Sequence, residues 1–448
     1  MEEERPLTPP ASALTLTPYH STIGQLPNGL GTPSTSSSNL KPQASSRGPG
    51  GPRGAPSSRR TQTDPSELSS VRRLGASNSS STSLAGTKDG TTSRAPKTTA
   101  YADPTPRVRT IPHLPHVKDT EPAPASVMYW SKAPVWGTLP THAMRAHSVT
   151  MVDTVAWLFG GCDDKGCWKD VWCFNTETMQ WSRPEMQGDI PLPCRAHSAT
   201  LIDRKLVVFG GGEGPVYYNS VYVLDITLRR WLKPIIVNHK EDIPPPRRAH
   251  TTVLYQGKIW VFGGGNGMQA LNDVWTLDVT GTLERMKWDQ VNIVGRKKPS
   301  PRGYHTANLV GNMMIVIGGS DGRECFSDIW CLDLDALIWT QIRPEVVHRR
   351  LSHAVSQVGS FLFITGGHDG TEYTSDMLMF NLVSLQYEPR RTLGRAPSPR
   401  GYHISVLADS RLFMFGGFNG HDVFDDVYIL DLAAAAYLPQ VTSFSIQA

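Results

Sequence analysis

The first 125 residues of this 448-residue chain contain no tryptophan, no phenylalanine and no cysteine, although the whole sequence has 12, 13 and 6 of them. Seventy-five of those 125 residues are Ser, Thr, Pro, Gly or Ala. A segment with so little apolar surface cannot offset the entropy lost on ordering, so residues 1–125 are expected to form a disordered tail. Long apolar runs are also missing: nothing approaches the roughly 18 residues that a membrane-spanning helix needs. The start, Met1-Glu2-Glu3-Glu4-Arg5-Pro6, has neither the basic nor the apolar region of a secretory signal. Six cysteines without a regular pairing pattern or a CxxC spacing argue against a disulfide framework and a zinc module. The expectation is a cytoplasmic protein. Charge of one sign is scarce as well. The formal net charge is +4, and all of it comes from the tail, which carries 14 Lys+Arg and 9 Asp+Glu against 30 and 31 in the remainder. That placement gives no support to nucleic-acid binding.

The tail does contain four Thr-Pro pairs, at Thr8, Thr17, Thr32 and Thr105, where phosphorylation would reverse the local positive charge.

The rest of the chain repeats. A hydrophobic run ending in Gly-Gly occurs six times, with first glycines at 160, 210, 263, 318, 366 and 416, spaced by 50, 53, 55, 48 and 50 residues. A histidine precedes each first glycine by 13 residues: His147, His197, His250, His305, His353 and His403. Nine residues after each second glycine stands Asp170, Ser220, Asp273, Asp328, Asp376 or Asp426. An aromatic follows that glycine by 20 residues (Trp181, Trp231, Trp339, Tyr387, Tyr437), or by 24 in the third unit (Trp288). Within a unit the pattern gives four short strands: a after the histidine, b into Gly-Gly, c after the Asp, and d carrying the aromatic. One such sheet cannot bury both faces alone, whereas six stacked around an axis can, which predicts a β-propeller.

On these residues the repeat resembles the kelch motif over about 128–440. The resemblance implies an all-β, six-bladed kelch-type propeller at 126–440, preceded by the tail at 1–125 and followed by a short C-terminal tail at 441–448. Two segments compete for the last strand d. Tyr129-Trp130-Ser131 resembles the strand-d segment at Trp181-Ser182, and Asp431 to Tyr437 resembles Asp225 to Trp231. The sequence leaves both open.

Antiparallel blades place the b–c and d–a connections on one face. These are the connections that vary, and variable loops on a rigid scaffold carry recognition. The d–a segments are rich in Lys and Arg, and an Arg leads into strand a of every unit: Arg145, Arg195, Arg248, Arg302, Arg350 and Arg400. Since strand a is innermost, these could ring the channel mouth and, with Arg349 and Arg391, hold an acidic or phosphorylated segment of a partner protein. The competing reading is architectural, with each Arg bonding its own blade.

Chemistry is harder to find. The six histidines occupy one register in six blades, so they do not converge as metal ligands must. No nucleophile–base pair and no phosphate-cradling glycine loop ahead of a helix is present. No cofactor, metal or catalytic residue is therefore expected. The resemblance to fungal cytoplasmic kelch proteins of cell polarity, and to kelch effectors of small GTPases, implies a non-enzymatic scaffold whose partner is a small GTPase or polarity factor. A ubiquitin-ligase substrate adaptor and an oxidoreductase similar to galactose oxidase are the alternatives. Cys162 and Cys167, which flank a loop of the first unit, are candidate redox-sensitive thiols.

Overall fold

In the computed structural model, residues 107–109, 127–432 and 444–446 are described. They form an all-β, six-bladed propeller. Strands a, b and c of blade 1 are Ser148–Val152, Val155–Phe159 and Val171–Asn175, and strand d is Gln180–Ser182. The same order recurs through blade 6, whose first three strands are Ile404–Ala408, Arg411–Phe415 and Val427–Asp431. The strands are short, the middle strands b and c are buried along most of their length, and a two-residue turn joins a to b in each blade.

Strand d of blade 6 comes from the N-terminal end. Met128–Lys132 pairs antiparallel with Val427–Asp431, placing Trp130 opposite Leu430. This is the register of the other blades, where Phe174 faces Trp181, Leu224 faces Trp231, Leu277 faces Trp288, Leu332 faces Trp339 and Phe380 faces Tyr387. Of the two competing segments, the N-terminal one therefore holds the place. Tyr437 lies outside the described residues. The ring is fastened by pairing of its two ends.

Six clusters of buried apolar side chains lie at the six joints between blades. Phe174 and Trp181 of blade 1 pack on Phe413 and Phe415 of blade 6, and Trp130 packs with Phe361 and Phe363 of blade 5. Each sheet thus contributes to two joints. At the blade 4–5 joint, where Tyr387 stands in the tryptophan position, Phe444 and Ile446 pack onto the cluster. These residues belong to the expected C-terminal tail, whose other residues lie outside the described set.

The segments entering blades 1, 2, 3 and 6 add an outer strand parallel to strand d. Gly137, Gly188 and Gly394 sit opposite Trp181, Trp231 and Trp130, at φ of 89°, 83° and 82°. A Cβ at any of the three would run into the tryptophan carbonyl oxygen, so only glycine fits there. Arg107–Arg109, within the segment expected to be a disordered tail, pairs antiparallel with Trp136–Leu139 and is a sixth strand of blade 1. The remainder of the 1–125 tail lies outside the described residues apart from this strand.

The innermost feature is a closed ring of six backbone hydrogen bonds. The residue before each histidine donates to its equivalent in the preceding blade: Ala146 N–H to Tyr402 O (2.9 Å), Ala196 to Ala146 (2.8 Å), Ala249 to Ala196 (2.9 Å), Tyr304 to Ala249 (3.0 Å), Ser352 to Tyr304 (2.8 Å) and Tyr402 to Ser352 (2.8 Å). All six have φ between 53° and 58°. This left-handed conformation turns each N–H and C=O along the ring.

Trp130 is 2% exposed and supplies both the pairing and the packing of closure. Replacing Trp130 with Ala is expected to cost about 3–5 kcal/mol, the usual range for a large buried aromatic. Urea unfolding of wild type and variant measures it, and an unchanged midpoint would show that the N-terminal strand does not hold the ring.

Candidate functional site

The six arginines ahead of strand a fall into two registers. Arg145, Arg195 and Arg248 stand two residues before the histidine, whereas Arg302, Arg350 and Arg400 stand three before it. Blade 3 has both, as Arg247-Arg248. In extended chain a shift of one residue reverses the side-chain direction, and the two sets do different work.

The set three residues before the histidine is architectural. The Arg302 guanidinium reaches the Asp328 carboxylate at 2.6 and 3.0 Å and donates to Gly318 O at 2.9 Å. Arg247 does the same with Asp273 (2.9 and 2.8 Å) and Gly263 O (3.0 Å). Arg400 bonds Asp426 at 2.6 Å and Gly416 O at 3.0 Å, and Arg350 bonds Asp376 at 2.5 Å. Meanwhile their backbones bond the preceding blade, as in Gly264 N–H to Arg302 O at 2.8 Å. Each side chain therefore rivets a blade whose neighbour its backbone already holds. Burial raises the Asp273 and Asp328 carboxyls, but the bonds and charge of the guanidinium and an indole N–H outweigh it and hold both below the usual range. This corrects the expectation that Arg302, Arg350 and Arg400 present their charge to a partner: they are 0%, 5% and 1% exposed, and each guanidinium is bonded to an Asp of its own blade, although Arg350 Nε has no partner among the described residues. A sequence signal for the pairing existed. Blades 3 to 6 have both the Arg and the Asp, while blade 2 has Cys194 and Ser220 in their places.

The repeated histidines are also framework. His197 Nε2 meets Ser148 Oγ at 2.9 Å, and His250, His305 and His353 reach Ser198, Thr251 and Thr306 at 2.8 to 2.9 Å. Each partner is the first residue after the histidine of the previous blade. His403 meets Ala354 at that place and takes Thr365 instead, at 3.2 Å. His147 follows Ile404 around the ring, and its two ring nitrogens have no hydrogen-bond partner among the described residues. Burial lowers His147, His353 and His403 to about 3 and His197 to about 4.

The set two residues before the histidine stands one residue from the backbone ring in blades 1 to 3, and Arg248 is only 3% exposed. Arg145 and Arg195 are half-buried, and both act electrostatically on Cys162 of blade 1. Arg145 lies 4.0 Å over the Phe418 ring. Arg248 lies 4.0 Å over Tyr217 and donates to Gly214 O and Val216 O at 2.6 and 2.7 Å, holding the b–c loop of blade 2. In blades 4 to 6 the equivalent residues are Gly303, Leu351 and Gly401, and aromatics take over. Tyr304 and Tyr402 meet edge to face at 5.5 Å, and Tyr373 packs on Phe418 at 5.9 Å. The tyrosines are half-buried. The mouth is thus basic on the side of blades 1 to 3 and aromatic on the other. The sequence reading missed the tyrosines, although Tyr304 and Tyr402 share one position of the repeat.

Arg349 and Arg391 are exposed on the d–a crossings. They belong to the rim with Arg343, Arg390 and Arg395, not to the mouth. The b–c loop tips are acidic, with Asp163, Asp164, Glu213, Asp321, Glu324, Asp369, Glu372 and Asp422 against Lys165 and Arg323. The expected basic face is therefore divided into a basic half-mouth, acidic tips and a basic outer rim. On the opposite face, the long c–d connection of blade 3 (280–284) bounds a cleft of about 720 Å³ with Arg204, Lys205 and Arg230 of blade 2.

The KLHDC2/KLHL20/DRC7 Kelch-repeats domain family matches residues 119–239, 146–348, 197–389 and 342–445, which together run from 119 to 445. The chain belongs to this kelch-repeat family. Human Host cell factor 1 is 30% identical over 132 residues, covering 25% of this chain and 6% of that protein. Tip elongation aberrant protein 3 of Schizosaccharomyces pombe is 28% identical over 132 residues, or 24% of this chain and 12% of that protein. The leucine-zipper-like transcriptional regulator 1 homolog of Drosophila melanogaster is 25% identical over 186 residues, or 39% and 19%. The chain spans less than a fifth of each of these relatives. The presence of a fission-yeast tip-elongation protein among them accords with the resemblance to fungal kelch proteins of polarity. No helix among the described residues is long and apolar enough to cross a membrane.

Two measurements test this kelch framework. Arg302→Ala strands the partly buried Asp328 carboxylate and is expected to cost about 3–5 kcal/mol in urea unfolding, whereas Arg391→Ala on the rim should leave the midpoint unchanged. Equal effects would refute the division into frame and surface. The buried histidines stay neutral in the fold but take up protons near pH 6.5 once unfolded. Their contribution is complete above that pH and lost as it falls toward about 3. The melting temperature should therefore drop across this window, and His147→Leu should flatten the drop; an equally steep profile would remove His147 from the account.

Proposed function

We propose that the propeller is a non-enzymatic interaction scaffold which binds a short segment of a partner protein at the channel mouth. The observation that carries this is Arg145 lying over Phe418, on which the half-buried Tyr373 packs, with the half-buried Tyr304 and Tyr402 edge to face and Arg195 in the next blade. Arg and Tyr are the side chains that dominate binding energy at protein interfaces, because each offers a large rigid contact area together with directional hydrogen bonding. The guanidiniums select a carboxylate or a phosphate. The acidic loop tips around them repel an extended run of negative charge, so the segment bears one or two anionic groups among apolar or basic neighbours. Arg195 belongs to this surface, whereas Arg248, 3% exposed and bonded to the b–c loop, only shapes the loop of blade 2. Arg349 and Arg391 are rim contacts that steer approach.

The relative named for tip elongation supports a role in cell polarity, and the partner class is a polarity factor or a small GTPase in the cytoplasm. This assignment rests on likeness of the repeats and on the mouth chemistry together.

Affinity purification of the tagged full chain against an Arg145→Ala/Arg195→Ala variant tests the site. The variant is expected to lose the wild-type partner at an unchanged melting temperature, and binding of the wild type is expected to weaken with salt. An identical partner set at both would overturn the mouth as the binding face. Identification of a polarity protein or small GTPase in the wild-type sample decides the partner class separately.

A further inference from the structure

Blade 1 holds two cysteines that the fold sets face to face. Cys162 follows the Gly pair, and Cys167 ends the same b–c loop. Asp163 N–H donates to Gly166 O at 3.0 Å and Trp168 N–H to Gly161 O at 2.9 Å, on either side of the Cys162–Cys167 bridge. Cys162 and Cys167 are thus a non-hydrogen-bonded antiparallel pair, the register in which Cα atoms stand about 4.5 Å apart and side chains approach most closely. That separation lies within the range a disulfide spans. The Cys167 thiol acts on Cys162 directly, and Cys167 Sγ also reaches Gly212 O of blade 2 at 3.9 Å. The repeat does not require sulfur here. The corresponding bridged pairs are Gly265–Ala270, Ser320–Cys325, His368–Tyr373 and Phe418–Val423, none with two thiols.

The surroundings distinguish the two sulfurs. The bond from Cys167 lowers Cys162; burial opposes it, and the charges of Arg195 and Arg145 add to it, leaving Cys162 at about 6. Cys167, the half-buried partner at the loop end, is raised by the same bond. Burial pushes Cys173, Cys194 and Cys331 up to about 12 and Cys325 up to about 11. Cys162, itself only 3% exposed, is thus the more acidic thiol of the pair, and burial disfavours the thiolate of the other four.

We propose that Cys162 and Cys167 form a reversible redox site, with Cys162 the peroxide-reactive thiol and Cys167 the resolving thiol. The Cys162 thiolate attacks one oxygen of a hydroperoxide, the O–O bond breaks, and the departing alkoxide takes a proton to leave as the alcohol. Cys162 becomes a sulfenic acid. The Cys167 sulfur then attacks the Cys162 sulfur, the S–S bond forms, and water departs with the Cys167 proton. Two thiols lose two electrons and the hydroperoxide gains them. A small-molecule dithiol or a cellular thiol reductant reverses the step by exchange. The fold needs little rearrangement, because the bridge joins residues already paired across one hairpin. Oxidation also removes the negative sulfur from beside Arg145 and Arg195.

The reduced full chain is exposed to hydrogen peroxide, quenched, alkylated and mapped by mass spectrometry. The expected result is loss of two hydrogens from the peptide containing Cys162 and Cys167, with the other four thiols still alkylated, and recovery of both thiols with dithiothreitol. Cys167→Ser should trap the Cys162 sulfenic acid as a dimedone adduct, and Cys162→Ser should leave Cys167 reduced. Melting temperatures within a few degrees of wild type show that both variants are folded. Oxidation spread over all six thiols, a pair left reduced, or a persistent dimedone adduct in the wild type would each overturn the proposal. None of these readouts depends on a partner.

Discussion

Six hydrogen bonds around one axis constrain everything else in this propeller. The residues that make them, from Ala146 to Tyr402, hold a left-handed backbone that costs about 1–3 kcal/mol for a non-glycine residue. Each is held there from both sides. The residue before it pairs with its own b–c loop, and the histidine after it is buried against the previous blade. The spacing of repeat markers follows from this closure. His and Gly-Gly must meet because a Cβ at Gly263 or Gly264 would strike Arg302 O or Arg248 O, so the second blade can approach only a bare backbone.

The two sets of arginines are separated by a single residue of register. Arg302 and Arg248 differ only in whether they stand three or two positions before the histidine, yet one is sealed against Asp328 and the other lies at the mouth against Tyr217. Both are buried, and burial alone does not tell a rivet from a shaped loop. The direction of the side chain does, through the partners it can reach. A ring of rivets leaves the mouth free to vary from blade to blade. It is varied here into arginines on one side and tyrosines on the other.

Much of the fold was legible in the residues. Four markers recurring across six units specified the number of blades and the strand order, because blade after blade reuses the same packing, with Ser220 and Tyr387 as local departures. Closure was not legible. Tyr129-Trp130 and the segment from Asp431 to Tyr437 satisfy the same local pattern, and only pairing with Val427–Asp431 distinguishes them. Arg107–Arg109 was read as tail because three residues in a Pro- and Thr-rich stretch carry no periodicity. Its strand exists through an edge that Trp136–Leu139 offers.

The site followed the same rule. The sequence by itself determined that the chain is a ring of six kelch blades with arginine at each entrance, since spacing and residue type are local and repeat. The joint presence of Arg and Asp in blades 3 to 6 marks which arginines meet a carboxylate, but the burial of those pairs, the histidine left without a hydroxyl and the cysteines that face each other were decided by tertiary structure. Asp328 lies 26 residues from Arg302, and Ser148 lies 49 from His197. Cys162 and Cys167 are close in sequence, but only the hairpin register turns both sulfurs to the same side. Contacts across a joint depend on how the blades close around the axis, and no local pattern encodes that.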